Sequence, residues 1–401
     1  MATVRKRTLP SGEVRWLVDY RDASGARRFK QFNRKADADA YETKARGEVA
    51  TGMHVASSQS KTISEAADLW VATGERDGLE QTTVRQRRQH VDLHIKPLIG
   101  AQKLSELGTP SVQAFVDQLL DTRSRAMARR VLTSLKGIIS NAQRRGLIAH
   151  NPTIAAKVAK RRAEDDEDSV VVIPPKADLR LMLTKSAELW PLTRIERTRA
   201  GEQKTVSVCW RPLLVTAIFT GMRASELRGL SWQHVDLDAG VIRVRQRADR
   251  FNRLGPPKSK AGRRDIPMAP MVLNVLREWK LACPVTKQDL VFPSERGEIV
   301  WHTNMAKQCF AALLEACELL IPATGNEAAK TPYSFHALRH AAASLFIEQG
   351  WSQNPKKLQS VMGHSSIQIT FDIYGHLFPS VEDDAKAMAQ IEARLMGAEH
   401  R

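Results

Sequence analysis

The sequence lacks paired cysteines and long apolar runs. Its four cysteines are scattered along the second half of the chain, and none forms a Cys-x-x-Cys pair: Cys209, Cys283, Cys309 and Cys317. This distribution favours free thiols in a reducing compartment over a disulfide framework. No apolar run reaches the roughly 18 residues needed to cross a bilayer, and the N-terminus MATVRKRTLP has no apolar signal core. These absences predict a soluble, cytoplasmic protein.

The chain is also short of acidic residues. Its 401 residues include 44 Asp and Glu against 61 Lys and Arg, which gives a formal net charge of +17. The isoelectric point lies near 9.9. Such an excess favours a polyanionic partner, although a merely basic, well-solvated protein is the alternative. The length exceeds that of one ordinary domain, so two or three domains are expected.

Residues 335–349, FHALRHAAASLFIEQ, predict a helix with two different faces. His336, Arg339 and His340 fall on one face, and apolar residues recur at helical spacing on the opposite one. A cationic row on a buried helix can bind a phosphate. Gly363-His364 and then Tyr374 follow, and a tyrosine hydroxyl could attack a phosphate bound in this way.

Each of these features also has a simpler interpretation. A His-x-x-x-His pair on a helix is often a hydrogen-bonded buried pair or a surface row, and the stripe of Ile367, Thr370 and Tyr374 can be core. A zinc site at His336 and His340 would need further ligands. No glutamate lies between the two histidines, as it does in the metalloprotease pattern.

A second polar motif, TGMRASELRGL, follows an apolar helix predicted over residues 211–219. Gly221 is a natural helix stop, and Ser225-Glu226 opens the next turn. Arg223 is therefore expected in a corner between two helices. Backbone N–H groups and a guanidinium can converge on an anion at such a corner.

Five motifs in this order resemble the catalytic signature of the tyrosine recombinases, the phage-integrase family: TGMRASELRGL, PKSKAGRRDIP, HALRH, GHSS and DIYGH. The resemblance covers most of the chain. It implies a site-specific DNA recombinase of a phage or other mobile element, which cleaves and rejoins strands through a 3′-phosphotyrosine intermediate. The implied fold is α+β, mainly α with small β-sheets, in several domains. No metal, nucleotide or other cofactor is implied, because the phosphotyrosine ester stores the bond energy.

The resemblance implies that two arginines bind the scissile phosphate and that one tyrosine attacks it. Arg223 and Arg339 would clamp the non-bridging oxygens of the scissile phosphate, where planar bidentate donors stabilise the charge that develops. Tyr374 would be the nucleophile. His364 would hydrogen-bond the same phosphate.

The nucleophile needs help, because a tyrosine with an ordinary pKa near 10 is ionised to about one part in a thousand at neutral pH. The resemblance gives this task to His336. Glu226 and His340 are expected to support the site. Glu226 can orient an arginine through a salt bridge, and His340 can hydrogen-bond a neighbouring loop.

The leaving 5′ oxygen needs a proton, which this family supplies from a lysine on a β-hairpin. Residues 241–246 predict the first strand, 250–256 the turn and 258–268 the return strand. Lys258, directly after Pro257, best matches the family position. Lys260 is the alternative, since a shift of two residues presents the same face of a strand.

Residues 1–56 resemble the arm-type DNA-binding domain of phage integrases. Two strands, 15–21 and 27–32, and a helix over 36–49 predict a small sheet packed on one helix. Basic residues on the sheet are expected to be exposed and to enter a major groove at sites distinct from the crossover point: Arg15, Arg21, Arg27, Arg28 and Lys30. An ordinary charged sheet is the alternative.

Residues 61–160 resemble the helical, SAM-like core-binding domain of the family. Thr62-Ile-Ser-Glu65 is a capping box, and the clearest helix runs over 124–144 with Arg129 and Arg130 on its polar face as DNA-binding candidates.

The segment KVAKRRAEDDED switches from basic to acidic, which indicates a linker, placed at 161–172. The catalytic domain then spans 173–401. A polar insertion at 190–207 is expected to be a surface loop. A helical pattern at 381–396 would dock either on a neighbouring protomer or on its own domain.

The expected partners are double-stranded DNA attachment sites, bound by a homotetramer on two duplexes. DNA-bending and directionality factors are further candidates, and no membrane partner is expected. Two other classes share parts of the pattern. A type IB topoisomerase uses the same chemistry, but the arm-like module and the motif spacing argue against it. A non-catalytic DNA-binding or directionality factor would not need the complete residue set.

Overall fold

The computed structural model describes residues 2–22, 25–52, 54–159, 172–197, 203–323, 329–378, 388–389 and 391–393. It divides into two compact units, Met1–Asp165 and Asp166–Arg401. Most of the expected linker at 161–172 and of the expected helix at 381–396 lies outside the described residues.

The first unit opens with an antiparallel sheet of strands β1 (Thr3–Thr8), β2 (Val14–Arg21) and β3 (Arg27–Phe32), in that spatial order. Helix α1 (Lys35–Ala50) packs on one face and buries Val18 and Tyr20. Strands β2 and β3 and the helix confirm the prediction for this region. Strand β1 was missed, because Val4 is the one large apolar side chain in TVRKRT.

The rest of the first unit is helical. A capping box starts helix α2 (Ile63–Arg76), as predicted: Thr62 Oγ1 accepts from the backbone N–H of Glu65, whose carboxylate accepts from the backbone N–H of Thr62. Ser124 caps the predicted long helix through the N–H of Met127. The helices are α2 (Ile63–Arg76), α3 (Gln81–His90), α4 (Lys96–Ile99), α5 (Thr109–Thr122) and α6 (Arg125–Arg144), with a π-helical turn at Val91–Ile95 and a 3-10 turn at Leu104–Glu106.

The second unit combines helices with short antiparallel strands, so the α+β prediction is confirmed. A three-stranded antiparallel sheet has β7 (Val241–Val244) between β10 (Arg264–Pro267) and β6 (Val235–Asp236). In chain order the elements are α7 (Lys176–Leu189), β4 (Thr193–Arg197), β5 (Gln203–Ser207), α8 (Trp210–Thr220), α9 (Ala224–Arg228), β6 (Val235–Asp236), β7 (Val241–Val244), β8 (Arg247–Ala248), β9 (Leu254–Gly255), β10 (Arg264–Pro267), α10 (Pro270–Ala282), α11 (His302–Asn304), α12 (Ala312–Ala316), α13 (Ala337–Glu348), α14 (Pro355–Met362) and α15 (Ile367–Tyr374).

Helix α8 lies inside the core of this unit, against α7, α10 and α13. Residues 212–218 are all buried, which shows that neighbours cover the helix all round. Its C-terminal end is thereby fixed. That end carries the arginine corner, and α13 carries the histidine row.

The expected surface loop at 190–207 was wrong. Strands β4 and β5 form an antiparallel hairpin in which Ile195 pairs with Thr205. The β-branched residues Thr193, Ile195, Thr205 and Val206 favour extended backbone, a signal that the charged residues between them obscured.

All four cysteines are free thiols, as predicted. Within the described ranges, no helix combines the length and apolar character that a membrane-spanning segment needs.

Candidate active site

The arginine corner forms where α8 stops. Gly221 ends the helix in the left-handed region at φ 60°, and Arg223 is the N-cap of α9. A side chain at Gly221 would lie 3.1 Å from Met362 Sδ and 3.2 Å from Ala342 Cβ. The corner therefore fits closely against α13 and α14, which carry the other motifs. The helix stop and the corner confirm the sequence prediction.

A cleft of about 480 Å³ opens beside this corner. It brings three of the predicted residues together: Arg223, Lys258 and His336. Arg247 and His302, which no motif indicated, contribute to the same wall. The described lining is thus strongly basic, with Glu226 as its acidic member, and suits an anionic substrate.

Glu226 is buried and ion-paired with two arginines. Arg223 donates from Nη1 and from its backbone N–H, each at 2.9 Å. Arg264 donates from Nη1 and Nη2 at 3.0 and 2.8 Å. Burial alone would raise the pKa of Glu226, but Arg264 and Arg223 more than offset it and lower the pKa to about 2. Glu226 thus orients Arg223 as expected. The ion-pair network also includes Arg264, which was not expected.

Arg264 joins three segments of the site, and sequence reasoning missed it. Besides Glu226, its Nε donates to the carbonyl of Val361 at 2.5 Å and its Nη1 to that of Gly262 at 3.1 Å. It therefore ties the corner, the lysine loop and the end of α14 together. The available signal was an arginine on the buried face of β10, two residues from buried Ile266.

Arg339 is buried on α13 and bonds the same two turns as Arg223. It donates to the carbonyl of Gly221 at 2.6 Å and to that of Met362, while Arg223 donates to the carbonyl of Gly363 at 2.9 Å. Burial, with Arg223 and Arg264 nearby, lowers the pKa of Arg339 to about 9, so it stays charged at neutral pH. Two guanidinium groups are thus held by backbone that also connects the motifs.

Tyr374 ends α15 and is fully buried. Its hydroxyl oxygen lies 2.9 Å from Nδ1 of His340. The expectation that His340 bonds a neighbouring loop was wrong, because Tyr374 packs against Ala343 and Ile347, on the side of α13 that also carries His340. Burial raises the pKa of Tyr374 to about 12, although Arg339 and Arg223 act in the opposite direction.

The other two histidines take different places. His336, predicted for the tyrosine hydroxyl, is the N-cap of α13 and lines the cleft. His364 stacks on the Tyr374 ring and has its Nδ1 2.9 Å from Thr370 Oγ1. Burial and nearby arginines lower the pKa of His336 to about 4 and that of His364 to about 3, and His340 adds to both effects. Both rings are neutral at neutral pH.

The two candidate lysines do not lie on a strand. The return strand covers only Arg264–Pro267 and pairs with β7. Lys258 precedes it in a loop, and Lys260 begins a 3-10 turn that ends at Gly262. The expected common strand face was therefore wrong, because the loop tightens before pairing begins. Lys258 lines the cleft with Arg223.

The zinc alternative finds no support in the described part of the chain. The rings of His336 and His340 meet edge-on at 4.9 Å between centroids. No group of three or more His, Cys, Asp or Glu is placed to hold a metal ion among the residues that the structure describes.

The sheet of the first unit also departs from the prediction. The pairing of β2 with β3 places Val18 opposite Lys30 and Tyr20 opposite Arg28. Both basic residues therefore lie on the face of the sheet that α1 covers. Arg28 is ion-paired with Asp22, and Lys30 Nζ lies 4.8 Å from the Tyr41 ring centroid. The expectation that Arg28 and Lys30 are exposed was wrong. Alternate residues of β3 face opposite sides of the sheet, and the pairing of β3 with β2, which the sequence does not show, decides which side α1 covers.

The open face of the sheet carries other basic residues. It holds Arg21 and Arg27, which are exposed as predicted, and Arg15, which is half-buried and ion-paired with Glu13; β1 adds Arg5 and Arg7. Asp19 lies among them, and its pKa is lowered to about 2 by its hydrogen bond to Arg27 and by Arg5. Exposed Phe29 completes this surface. On α6, Arg129 and Arg130 are exposed as expected.

Two protein-family models match the chain. "Phage integrase family" matches residues 198–380, and "Phage integrase central domain" matches residues 63–159. The prophage integrase IntR of Escherichia coli K12 is 30% identical over 197 residues, 45% of each chain. A XerC-like tyrosine recombinase of Caldanaerobacter subterraneus is 24% identical over 399 residues, which cover 91% of this chain and 92% of that one.

Solved structures show the same fold. The Tn1549 transposon integrase in complex with a circular intermediate DNA superposes with a TM-score of 0.64 at 19% identity, covering 83% of this chain and all of that one. A lambda integrase tetramer bound to a Holliday junction superposes with a TM-score of 0.54 at 18% identity, covering 90% of this chain and 95% of that one. The chain belongs to the phage integrase family of tyrosine recombinases. It is a site-specific DNA recombinase.

Glu226→Gln should destabilise the protein in a pH-dependent way. The folded-state pKa of about 2 lies below the ordinary value of 4.5, so the contribution of Glu226 is complete above pH 4.5 and is lost as pH falls toward 2. We expect a loss of about 3 kcal/mol at pH 7. Thermal unfolding across pH should show the gap between parent and variant narrowing below pH 4.5.

Glu278→Gln is the matched control, since that carboxylate is exposed and its nearest ion-pair contact is 3.9 Å long. It should change stability by less than about 0.5 kcal/mol. A Glu226→Gln deficit that is equal at pH 3 and pH 7 would show that the ion network is not its cause.

Proposed function

We propose that this recombinase cleaves each DNA strand at an attachment site with Tyr374 as nucleophile and the scissile phosphate held between Arg223 and Arg339. The observation that carries the proposal is a basic cleft lined by three motif residues, with His336 at its wall in contact with His340, which reaches the buried Tyr374. Arg223, Lys258 and His336 line the cleft, and the charges of Arg339 and Arg223 both act on Tyr374.

The reaction balances without a cofactor. The Tyr374 oxygen attacks phosphorus and gives its proton to a histidine of the site, while an Oη–P bond forms and the P–O5′ bond breaks. Lys258 protonates the departing 5′ oxygen. The guanidinium groups of Arg223 and Arg339 stabilise the additional charge of the pentavalent transition state, with His364 and His336 as further hydrogen-bonding groups. A 5′ hydroxyl from another strand reverses the steps and completes the exchange.

Burial of the nucleophile gives the site a resting state. Tyr374 has no exposed surface, and its ring packs beneath His364. The hydroxyl must therefore be uncovered before it can contact DNA. Binding of a duplex would have to move α15 or the turn around His364, and cleavage away from DNA is prevented.

The other domains bind DNA at sites of their own. We assign residues 1–56 to arm-site binding, 61–160 to core-site binding, 161–172 to the linker and 173–401 to catalysis. The open face of the first sheet, with its five arginines, suits a phosphate-lined groove. Binding at two addresses raises the local concentration of the second site.

Assembly on DNA follows from the reaction, since two duplexes exchange four strands. The lambda integrase structure contains a tetramer on a Holliday junction, and we propose a homotetramer on two duplexes for this chain as well. A phage or other mobile element as its source, a cytoplasmic location and DNA-bending or directionality partners belong to the same proposal.

Tyr374→Phe should abolish covalent attachment and leave site binding intact. Labelled attachment-site DNA is incubated with the full-length protein, and denaturing gel electrophoresis separates covalent adducts. Tyr333→Phe is the matched control, because Tyr333 donates its hydroxyl hydrogen bond to Asp178 instead. It should form adducts as the parent does. Adducts with Tyr374→Phe would refute the assignment.

Lys258→Ala and Lys260→Ala should differ in a way that identifies the general acid. Loss of the proton donor should slow cleavage by about 10²–10⁴-fold. A substrate with sulfur in place of the 5′ bridging oxygen needs no proton to depart, so it should restore cleavage by Lys258→Ala. Lys260→Ala should cleave both substrates at nearly the parent rate. If sulfur rescues only Lys260→Ala, the assignment passes to Lys260.

Arg21→Ala and Arg28→Ala should separate the two faces of the first sheet. Removal of one phosphate contact lowers the slope of log affinity against log salt by about 0.9. Arg21→Ala, on the open face, should show this change on arm-site DNA. Arg28→Ala, on the side of α1, should keep the parent slope once circular dichroism has confirmed its fold. Equal slopes for both variants would remove the open face as the contact surface.

A further inference from the structure

The hydrogen bond between Tyr374 and His340 was not indicated by the family motifs. Tyr374 is fully buried, residue His340 is 8% exposed, and 2.9 Å separates the hydroxyl oxygen from Nδ1. Tyr374 packs on Ala343 and Ile347, which lie on the turns of α13 that follow His340. These two side chains fix the phenol ring beside His340. A nucleophile within hydrogen-bond reach of a held base is the arrangement that activates hydroxyl groups in enzymes.

Neither of the other site histidines occupies this place. His364 contacts the phenol by stacking, with ring centroids 6.2 Å apart, and its Nδ1 lies at Thr370. His336 meets His340 edge-on and lines the cleft. His340 is thus the histidine at the proton that must be removed.

We propose that His340 is a further catalytic residue, which accepts the hydroxyl proton of Tyr374 at Nδ1 as the phenol oxygen attacks phosphorus. The inference rests on Tyr374 as the nucleophile. The O–H bond breaks and its proton moves to Nδ1, while the Oη–P bond forms and the P–O5′ bond breaks. On rejoining, the imidazolium returns the proton to the departing phenol oxygen.

The charge around His340 makes this transfer depend on DNA. Burial and Arg339 lower the pKa of His340, so the ring is neutral in the free protein and can present a lone pair at Nδ1. An imidazolium beside Arg339 is unfavourable while the site is empty. A phosphate between Arg223 and Arg339 offsets that charge and raises the proton affinity of His340. Binding of the scissile phosphate therefore makes His340 a stronger base.

Among the residues that the structure describes, four groups that can carry charge lie around His340. Arg339 and His336 lie on or at the end of its own helix, Tyr374 on α15 and His364 after α14. The pKa values of His336 and His364 lie near 4 and 3. An inflection of the cleavage rate at mildly acidic pH in the DNA complex is therefore assigned to His340 when His340→Gln removes it and His336→Gln does not.

The test measures single-turnover adduct formation by the full-length protein on labelled attachment-site duplex, from pH 5 to pH 9. His340→Gln keeps a polar group but cannot accept a full proton. We expect it to slow attachment by about 100-fold or more at pH 7, with unchanged DNA binding. The deficit should shrink as pH rises, because hydroxide replaces the missing base.

His234→Gln makes the same chemical change in the same unit, away from the cleft, and should match the parent. A His340→Gln deficit that stays constant across pH would show a structural role and overturn the proposal. Absence of adducts with the parent protein would instead reject Tyr374 as nucleophile. The two failures are therefore distinguishable.

A second measurement does not depend on the folding of His340→Gln. Fluorotyrosine placed at position 374 of the otherwise unchanged chain lowers the pKa of the nucleophile. If His340 removes the proton, the acid-side inflection of the rate belongs to the imidazole and should stay at the same pH. An inflection that moves down with the phenol pKa would show that Tyr374 ionises without His340, and would overturn the proposal.

Discussion

The catalytic unit depends on a carboxylate that has almost no access to water. A buried Glu226 would be costly if it were alone, since desolvation of a carboxylate without partners costs several kcal/mol. Arg223 and Arg264 offset that cost with four hydrogen bonds. Because the two arginines come from different segments, the ion network forms only when the corner and β10 have folded together. Folding and assembly of the active site are therefore one event.

The same network leaves an excess of positive charge in the site. Arg223, Arg264 and Arg339 lie close enough to affect one another, and Glu226 is the carboxylate that faces them. Mutual repulsion makes the empty site less stable than a neutral core would be. A phosphate relieves that repulsion, and more so in the transition state, where its charge increases. Backbone carbonyls hold all three guanidinium groups in advance, so little reorganisation is needed when the substrate arrives.

How far the sequence predicts this structure depends on how local each feature is. The Thr62 capping box and the Gly221 helix stop are set within a few neighbouring residues, and both were predicted. The motifs around Arg223 and Tyr374 were found because their order resembles a known family.

Features that depend on distant packing were not predictable. Arg264 bonds a carboxylate 38 residues away in sequence, and no local pattern shows that pairing. His340 differs from His336 by one helical turn, and only the position of α15 decides which of them meets the hydroxyl. Arg28 and Lys30 alternate as exposed strand residues do, but the register with β2 places them beneath α1.

The central claim is that this site directs the chemistry to one tyrosine among the four in the chain. Mass spectrometry of the protein after covalent attachment to attachment-site DNA, followed by nuclease and trypsin digestion, tests it most directly. We predict a nucleotide phosphate on Tyr374, within the tryptic peptide 358–386. A nucleotide on Tyr20, Tyr41 or Tyr333, or on any residue outside that peptide, would contradict the account.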